Sequence, residues 1–407
     1  MRVLMVNKFH RMVGGSETCY FSMKRLLEQR GHTVIDFSMA DERNVPSPYG
    51  DYFVDSVNYH DQHSLGRRLL LARNFVYSPE AKKKFARLAD DTKPDLVHLH
   101  MFHHQLSPSI LDAIKKRRLP AVYTAHELQL LCPNYKMRHG GALCEACLNG
   151  KVFSCVRNRC VMDSFAKSAL SAFEHKLHRS RGIYDVIQYL IMPSAFYRQK
   201  FIEAGYSPER LIHIPNFLAL PPLTFAGRDK KEPYILYAGR LSEEKGLRTL
   251  LRAAEGADIS LHIAGTGGME EEIRAALRKP GFRRVKLLGF LNEAALAEEM
   301  RMASALVLPS EWYENAPYAA IEALRCGRPL IGSRIGGIPE MIQNNGILTE
   351  PGDAEGLRAA MQRMLTLPDA EWQRMSDASL RLYRENHTAE RFAEKLGEVY
   401  GRLGFAL

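Results

Sequence analysis

The chain has 407 residues, 46% hydrophobic and 25% charged, with 29 Gly and 20 Pro. That balance fills a core in each of two domains and excludes a disordered, collagen-like or coiled-coil protein. No apolar run approaches the roughly 18 residues that span a bilayer, and the opening MRVLMVN reads as a first strand without a cleavage site. The expectation is therefore a cytoplasmic protein with reduced thiols. Formal charge is +10, and Met1–Phe217 holds 31 Lys+Arg against 20 Asp+Glu while the remainder holds 25 against 26. A basic half, with runs at Lys82-Lys83-Lys84 and Lys115-Lys116-Arg117-Arg118, points to an anionic membrane face or a phosphate-bearing acceptor. Nucleic acid is not expected, because the runs lack interleaved aromatics and no binding module is visible.

Short β-rich runs alternate with helical stretches in chain order. RVLMVN precedes a glycine turn and the amphipathic SETCYFSMKRLLEQRG. TVIDFSM, PDLVHLH, a helix around SPSILDAIKKRR and PAVYTAHE follow. The pattern restarts with EPYILYAGRL, GLRTLLRAAEGA, ISLHIAG, GMEEEIRAAL, RVKLLGFL, ALVLPS and PLIGSRIGG. Such alternation predicts βαβ units and parallel sheets, and two series predict two Rossmann-like, doubly wound α/β domains. The break lies in IPNFLALPPLTFAGRDKKEP, where Pro215, Pro221, Pro222 and Pro233 interrupt periodicity. Domains are expected at 1–217 and 218–387. A terminal helix over 388–407, with Phe392, Leu396, Tyr400 and Leu403 on one face, is expected to pack back across the junction.

In open α/β sheets ligands collect at the carboxyl ends of strands. Arg240 follows the strand YILYAG, and Lys245-Gly246 opens the next helix, a pairing suited to a diphosphate. The next strand ends at Gly265, and Gly289 ends RVKLLGFL, where bare backbone could approach a nucleobase. PSEWYENAPYAAIEALRCG places Glu314 just before a helix expected to begin near Ala316, and Glu322 about two turns inside it. The stretch between them carries no charge, so a solvated face is not the expected reading, and two carboxylates could accept hydrogen bonds from two sugar diols.

Arg240 with Lys245-Gly246, the turn at Gly265, the E-x7-E of Glu314 and Glu322, and GGIPE together resemble the retaining glycosyltransferases of family 4, which have the GT-B fold of two Rossmann-like domains facing across a cleft. Gly14-Gly15-Ser16-Glu17 resembles the family's amino-terminal glycine loop, and His126 in YTAHE its active-site histidine. The resemblance implies that Arg240 and Lys245 hold the donor diphosphate and stabilise the leaving group. It implies further that Glu322 binds ribose, Glu314 the transferred sugar, Gly15 the phosphate, and that His126 contacts the donor sugar. Asn315-Ala316-Pro317 stands where many members have a Gly-Phe-Gly-like stretch whose amides bind sugar hydroxyls. Pro317 removes one amide, so donor identity does not transfer. No divalent metal is expected at the diphosphate.

Five of the seven cysteines fall within 132–160. Cys144, Cys147, Cys155 and Cys160 could wrap one tetrahedral ion, zinc first and an iron–sulfur cluster second, with Cys132 as a substitute ligand. Cys19 and Cys326 read as buried hydrophobes. His98, His100, His103 and His104 read as structural or acceptor-contact residues ahead of metal ligands.

The expected function is transfer of a hexosyl unit from a nucleotide-diphosphate sugar to a glycan or lipid-linked acceptor in cell-surface polysaccharide or glycoconjugate synthesis. Attachment to the inner face of the membrane would be peripheral. A nucleotide-sugar epimerase of the same fold, and a non-catalytic zinc-stabilised binding module, are the alternatives.

Overall fold

The computed structural model describes residues 1–56, 65–223, 227–228 and 231–407, so part of the proline-rich break lies outside the described residues. The chain divides into two units. One comprises Met1–His139, Cys144–Ile214 and Ala393–Leu407, and the other Gly140–Leu143 and Pro215–Phe392. The first break thus falls three residues ahead of the expected 217, because Asn216 and Phe217 are held by the second unit. His387 Nδ1 meets the Asn216 carbonyl oxygen at 2.7 Å, and Phe217 stacks on Phe392 with centroids 4.1 Å apart.

The first unit is a parallel sheet of β1 (Arg2–Val6), β2 (Thr33–Phe37), β3 (Leu96–Leu99), β4 (Ala121–Thr124), β5 (Tyr189–Met192) and β6 (Leu211–His213), in the order β6-β5-β4-β3-β1-β2. Leu4 pairs with Ile35 on one side and Val97 on the other. The strands are buried almost end to end, as parallel strands covered on both faces must be. Its helices include α1 (Gly15–Gln29), α2 (Ser109–Arg117), α3 (Phe153–Arg157) and α4 (Phe165–Ser180).

The second unit has β7 (Ile235–Ala238), β8 (Leu261–Ala264), β9 (Val285–Gly289), β10 (Ala305–Leu308), β11 (Leu330–Ser333) and β12 (Gly346–Thr349), in the order β9-β8-β7-β10-β11-β12. The pleat sends Ile235, Ile263, Val307 and Ile331 into one core and Leu236, Ala264, Leu306 and Leu330 into the other. Two helices matter for the site, α5 (Leu247–Ala254) and α6 (Tyr318–Arg325). The sixth begins two residues later than expected because Pro317 occupies its N-cap with φ −67° and ψ 127°, which places Glu322 in the second turn.

The last helix, α7 (Ala389–Gly401), buries Phe392, Leu396 and Tyr400 as its periodicity predicts. Leu403 lies beyond the helix end. Among the described residues no helix is long and apolar enough to cross a membrane.

The two sheets reverse direction at different points. In the first unit the chain passes from one side of the sheet to the other between β1 and β3, and in the second between β7 and β10. The carboxyl ends flanking such a reversal form a crevice where ligands bind.

Candidate functional site

In the second unit that crevice gathers four of the residues singled out by sequence. Arg240 follows β7, its side chain 60% exposed, and donates to Glu244 Oε1 at 2.8 Å. Lys245 closes a short 3-10 turn, and Gly246 follows with φ +72°. A Cβ at Gly246 would lie 1.8 Å from the Pro309 carbonyl oxygen. Only glycine lets this loop press against the end of β10.

That approach brings Lys245 Nζ to 2.6 Å from Glu314 Oε1, while the Ser310 hydroxyl donates to the same oxygen at 2.7 Å. Lys245 Nζ also lies 5.4 Å from the centre of the Trp312 ring. Behind Glu314, the GGIPE turn packs on its backbone: Gly337 N–H donates to the Glu314 carbonyl at 2.8 Å, and Gly336, at φ +60°, leaves no room for a Cβ. Burial, the largest influence, pushes the Glu314 carboxyl upward. The Lys245 ammonium and the bonds from Lys245 and Ser310 outweigh it, so the group is held below the ordinary carboxylate range. Glu314 is therefore a carboxylate fixed in place, and Arg240 and Lys245 each retain N–H donors for an anion. Glu244 and Ser310 were missed by sequence reasoning. The spacings that could have found them are Arg-x3-Glu at Arg240 and Ser-x3-Glu at Ser310.

Glu322 is partly buried on α6. Burial and the nearby Glu293 charge push its carboxyl up to about 7, against the opposing Arg325. Gly265 and Gly289 are brought together, the Gly265 N–H donating to the Gly289 carbonyl at 2.7 Å. The Ala316 carbonyl accepts from Asn216 Nδ2 at 3.1 Å, and Asn315 sits between Ala316 and the fixed Glu314.

In the first unit Gly15 is the first residue of α1. Glu17, 2% exposed, accepts from Asn7 Nδ2 at 3.1 Å and Ser16 Oγ at 3.0 Å. His126, two residues past β4, has Nε2 2.8 Å from His100 Nδ1, and the two rings stack at 5.1 Å and 16°. Burial lowers His126 to about 4, so the imidazole is neutral. His98 Nδ1 meets the Tyr400 hydroxyl at 2.7 Å and its Nε2 meets Thr124 Oγ1 at 2.8 Å. Glu127 is pushed by burial to about 7, with Lys8 and Glu17 as charged neighbours.

The histidine run divides. His98 and His100 join His126, while His103 stacks on Phe102 and His104 on Phe75, each at 4.2 Å. Among the described residues, Cys19, His100 and His126 bring three donor atoms within 4.8 Å of one another. Cys19, expected as a plain core residue, is buried there. The cysteines stay in one cluster: Cys132 lies against Cys147 and Cys155 against Cys160, the Cys155 N–H also meets the Cys147 sulfur, and Cys160 lies near Cys147 and Cys144. Cys132, weighed only as a substitute ligand, is thus a direct neighbour of Cys147.

Comparison with known proteins places the chain. The sequence model described as Glycosyl transferases group 1 matches residues 225–381, and that described as Glycosyltransferase Family 4 matches residues 13–220. An uncharacterized 42.6 kDa protein of the Klebsiella pneumoniae cps region is 25% identical over 84% of this chain and 87% of its own length. An uncharacterized glycosyltransferase of Methanocaldococcus jannaschii is 33% identical, but over 34% of this chain and 37% of its own length. For alpha-D-kanosaminyltransferase of Streptomyces kanamyceticus the figures are 26%, 42% and 46%, so the match spans less than half of the last two relatives. Among solved structures, Anabaena HepE in complex with UDP is similar with TM-score 0.67 at 17% identity, covering 99% of this chain and 100% of that one. Sucrose-phosphate synthase from Thermosynechococcus elongatus is similar with TM-score 0.71 at 19% identity, covering 99% and 98%. These likenesses establish the GT-B fold. A family match over just more than half of the chain, joined to that fold, establishes that the chain belongs to Glycosyltransferase Family 4.

Proposed function

We propose that this chain transfers a sugar from a nucleotide-diphosphate sugar to a glycan or lipid-linked acceptor, with retention of anomeric configuration, in the assembly of a cell-surface polysaccharide or glycoconjugate. The observation that carries the reading is the grouping of Arg240, Lys245 and the fixed Glu314 carboxylate at the β7/β10 reversal. Arg240 and Lys245 would hold the diphosphate and meet the charge that grows on it as the bond to the sugar C1 breaks. No divalent ion is then required at the diphosphate. Glu314 would orient the transferred sugar and Glu322 the ribose diol, with Gly265, Gly289, Asn315 and Ala316 lining the donor. Gly15 would approach the phosphate. His126, its Nε2 engaged by His100, would offer its remaining nitrogen to the sugar. The acceptor oxygen forms the new bond to C1 on the face the diphosphate leaves, and its proton passes to a diphosphate oxygen. The Klebsiella relative's cps-region origin supports a polysaccharide setting, and UDP in Anabaena HepE supports a nucleotide donor.

A thermal-shift screen of nucleoside diphosphates and nucleotide sugars tests the donor half, since a ligand at 100 times its Kd adds about 2.7 kcal/mol. NMR of the product then reports anomeric configuration. Stabilisation by no nucleotide sugar, or an inverted product, overturns the reading. Sugar conversion without any acceptor would favour the epimerase alternative.

A further inference from the structure

α4 is built with its polar side inward. Ser168, Ser171, Glu174, His175 and His178 are buried, whereas Phe165 and Phe173 are 62% and 57% exposed. A helix on a globular unit ordinarily buries its apolar stripe. Here the inward face is fixed by hydrogen bonds: Ser171 Oγ donates to the Pro133 carbonyl at 3.0 Å, and His178 Nε2 meets that of Val76 at 2.7 Å. The aromatic side is thereby committed to the outside.

The preceding segment adds to it. Phe153 on α3 is 75% exposed and Met162 58% exposed. Lys176 Nζ stands 5.6 Å over the Phe153 ring, and Lys167 Nζ lies 3.4 Å from Met162 Sδ, so the two helices present one surface. Between Lys151 and Arg181 the sequence carries seven Lys+Arg against two Asp+Glu, and one of the two is the buried Glu174. Single exposed aromatics are ordinary, but four large apolar side chains among seven cations, with Asp163 the exposed carboxylate of the stretch, form a patch that calls for a partner. The other basic runs differ in lacking exposed large apolar side chains among the described residues, and some of their cations are paired, Lys82 with Asp112 at 3.3 Å, Lys84 with Glu80 at 2.9 Å and Arg117 with Asp90 at 2.6 Å.

We propose that the surface of α3, the turn after it and α4 docks the chain peripherally on an anionic lipid bilayer. Phe153, Met162, Phe165 and Phe173 enter the boundary between headgroups and acyl chains, and the lysines among them meet lipid phosphates. The charge excess favours lipid over a neutral protein partner, and apolar side chains flanked by lysine are what interfacial helices use. The inference is independent of the transfer chemistry proposed above.

The test is flotation of the full chain with vesicles of phosphatidylcholine and phosphatidylglycerol, against phosphatidylcholine alone. Binding to the anionic vesicles is expected. The triple variant F153S/F165S/F173S should bind at least about tenfold more weakly. Each lysine lost in K151Q/K167Q/K176Q should weaken it about fivefold, while K115Q/K116Q should change it by less than about twofold. In a Phe173→Trp protein, brominated lipid should quench emission from the new indole, a readout that needs no disruptive substitution. No binding by the unaltered chain, no effect of the aromatic variant, or no quenching at Trp-substituted position 173 overturns the proposal. So does a lipid-free dimer that the aromatic variant converts to monomer, which would make this a self-association face.

Discussion

Lys245 and Glu314 stand 69 positions apart in the sequence and 2.6 Å apart in space. Neither is a free group awaiting a ligand. The lysine keeps the buried carboxylate ionised, and the carboxylate holds the lysine at the end of β10. The donor diphosphate proposed for this crevice would therefore meet a cation already positioned, at little further entropic cost.

Lys245→Ala should leave Glu314 buried without its cation and destabilise the chain by about 1–3 kcal/mol. Adding Glu314→Gln should restore much of the melting temperature but none of the nucleotide-sugar affinity, because Arg240 alone then faces the diphosphate. Thermal unfolding beside titration calorimetry checks this. Recovery of both together would show a pair that serves folding alone.

Gly246→Ala separates backbone from side-chain effects. The new Cβ would fall 1.8 Å from the Pro309 oxygen, so the Lys245 loop must move away from β10. A loss of about 2 kcal/mol or more is expected, together with weakened donor binding. Gly352→Ala, at φ +79° with nothing within 4 Å, provides the control. It should lose about 1 kcal/mol and bind donor normally.

Glu322, pushed up to about 7, should make donor binding depend on pH. The ionised carboxylate accepts a diol better than the neutral acid does, so nucleotide-sugar affinity should rise between pH 6 and 8, near the midpoint of about 7. Glu322→Gln should flatten that rise. A nucleotide sugar is the right ligand, because its diphosphate has no ionisation in this window. An unchanged slope in the variant would place the titrating group elsewhere.

Glu174 is pushed up to about 8 by burial, with His178 as its neighbour at 3.9 Å. The folded chain keeps this proton while the unfolded chain releases it near 4.3. Stability from this group is thus full at low pH and falls as pH rises from about 4.5 to 8. Glu174→Gln should remove that slope and gain on the order of 1–3 kcal/mol at pH 8, measured by chemical denaturation. Stability that is parallel in pH for both proteins would refute the assignment.

Local pattern in the sequence already marked the βαβ alternation, the two parallel sheets, the proline-rich break between the two series and the buried face of α7. Each is encoded over a few neighbouring residues, by period-two burial, period-3.6 stripes and proline. It also singled out Arg240, Lys245 and Glu314, which lie in loops that follow strands, and Glu322, which lies inside α6, by the uncharged stretch that separates it from Glu314.

Tertiary structure alone decided the rest. The first sheet reverses at β1/β3 and the second at β7/β10, a distinction made by hydrogen bonds between strands far apart in sequence. It alone joined Lys245 to Glu314, His100 to His126 and Cys132 to Cys147, and it turned the polar face of α4 inward. Such pairings depend on closing loops of tens of residues onto one packed arrangement, and no local periodicity records which groups that closure brings together.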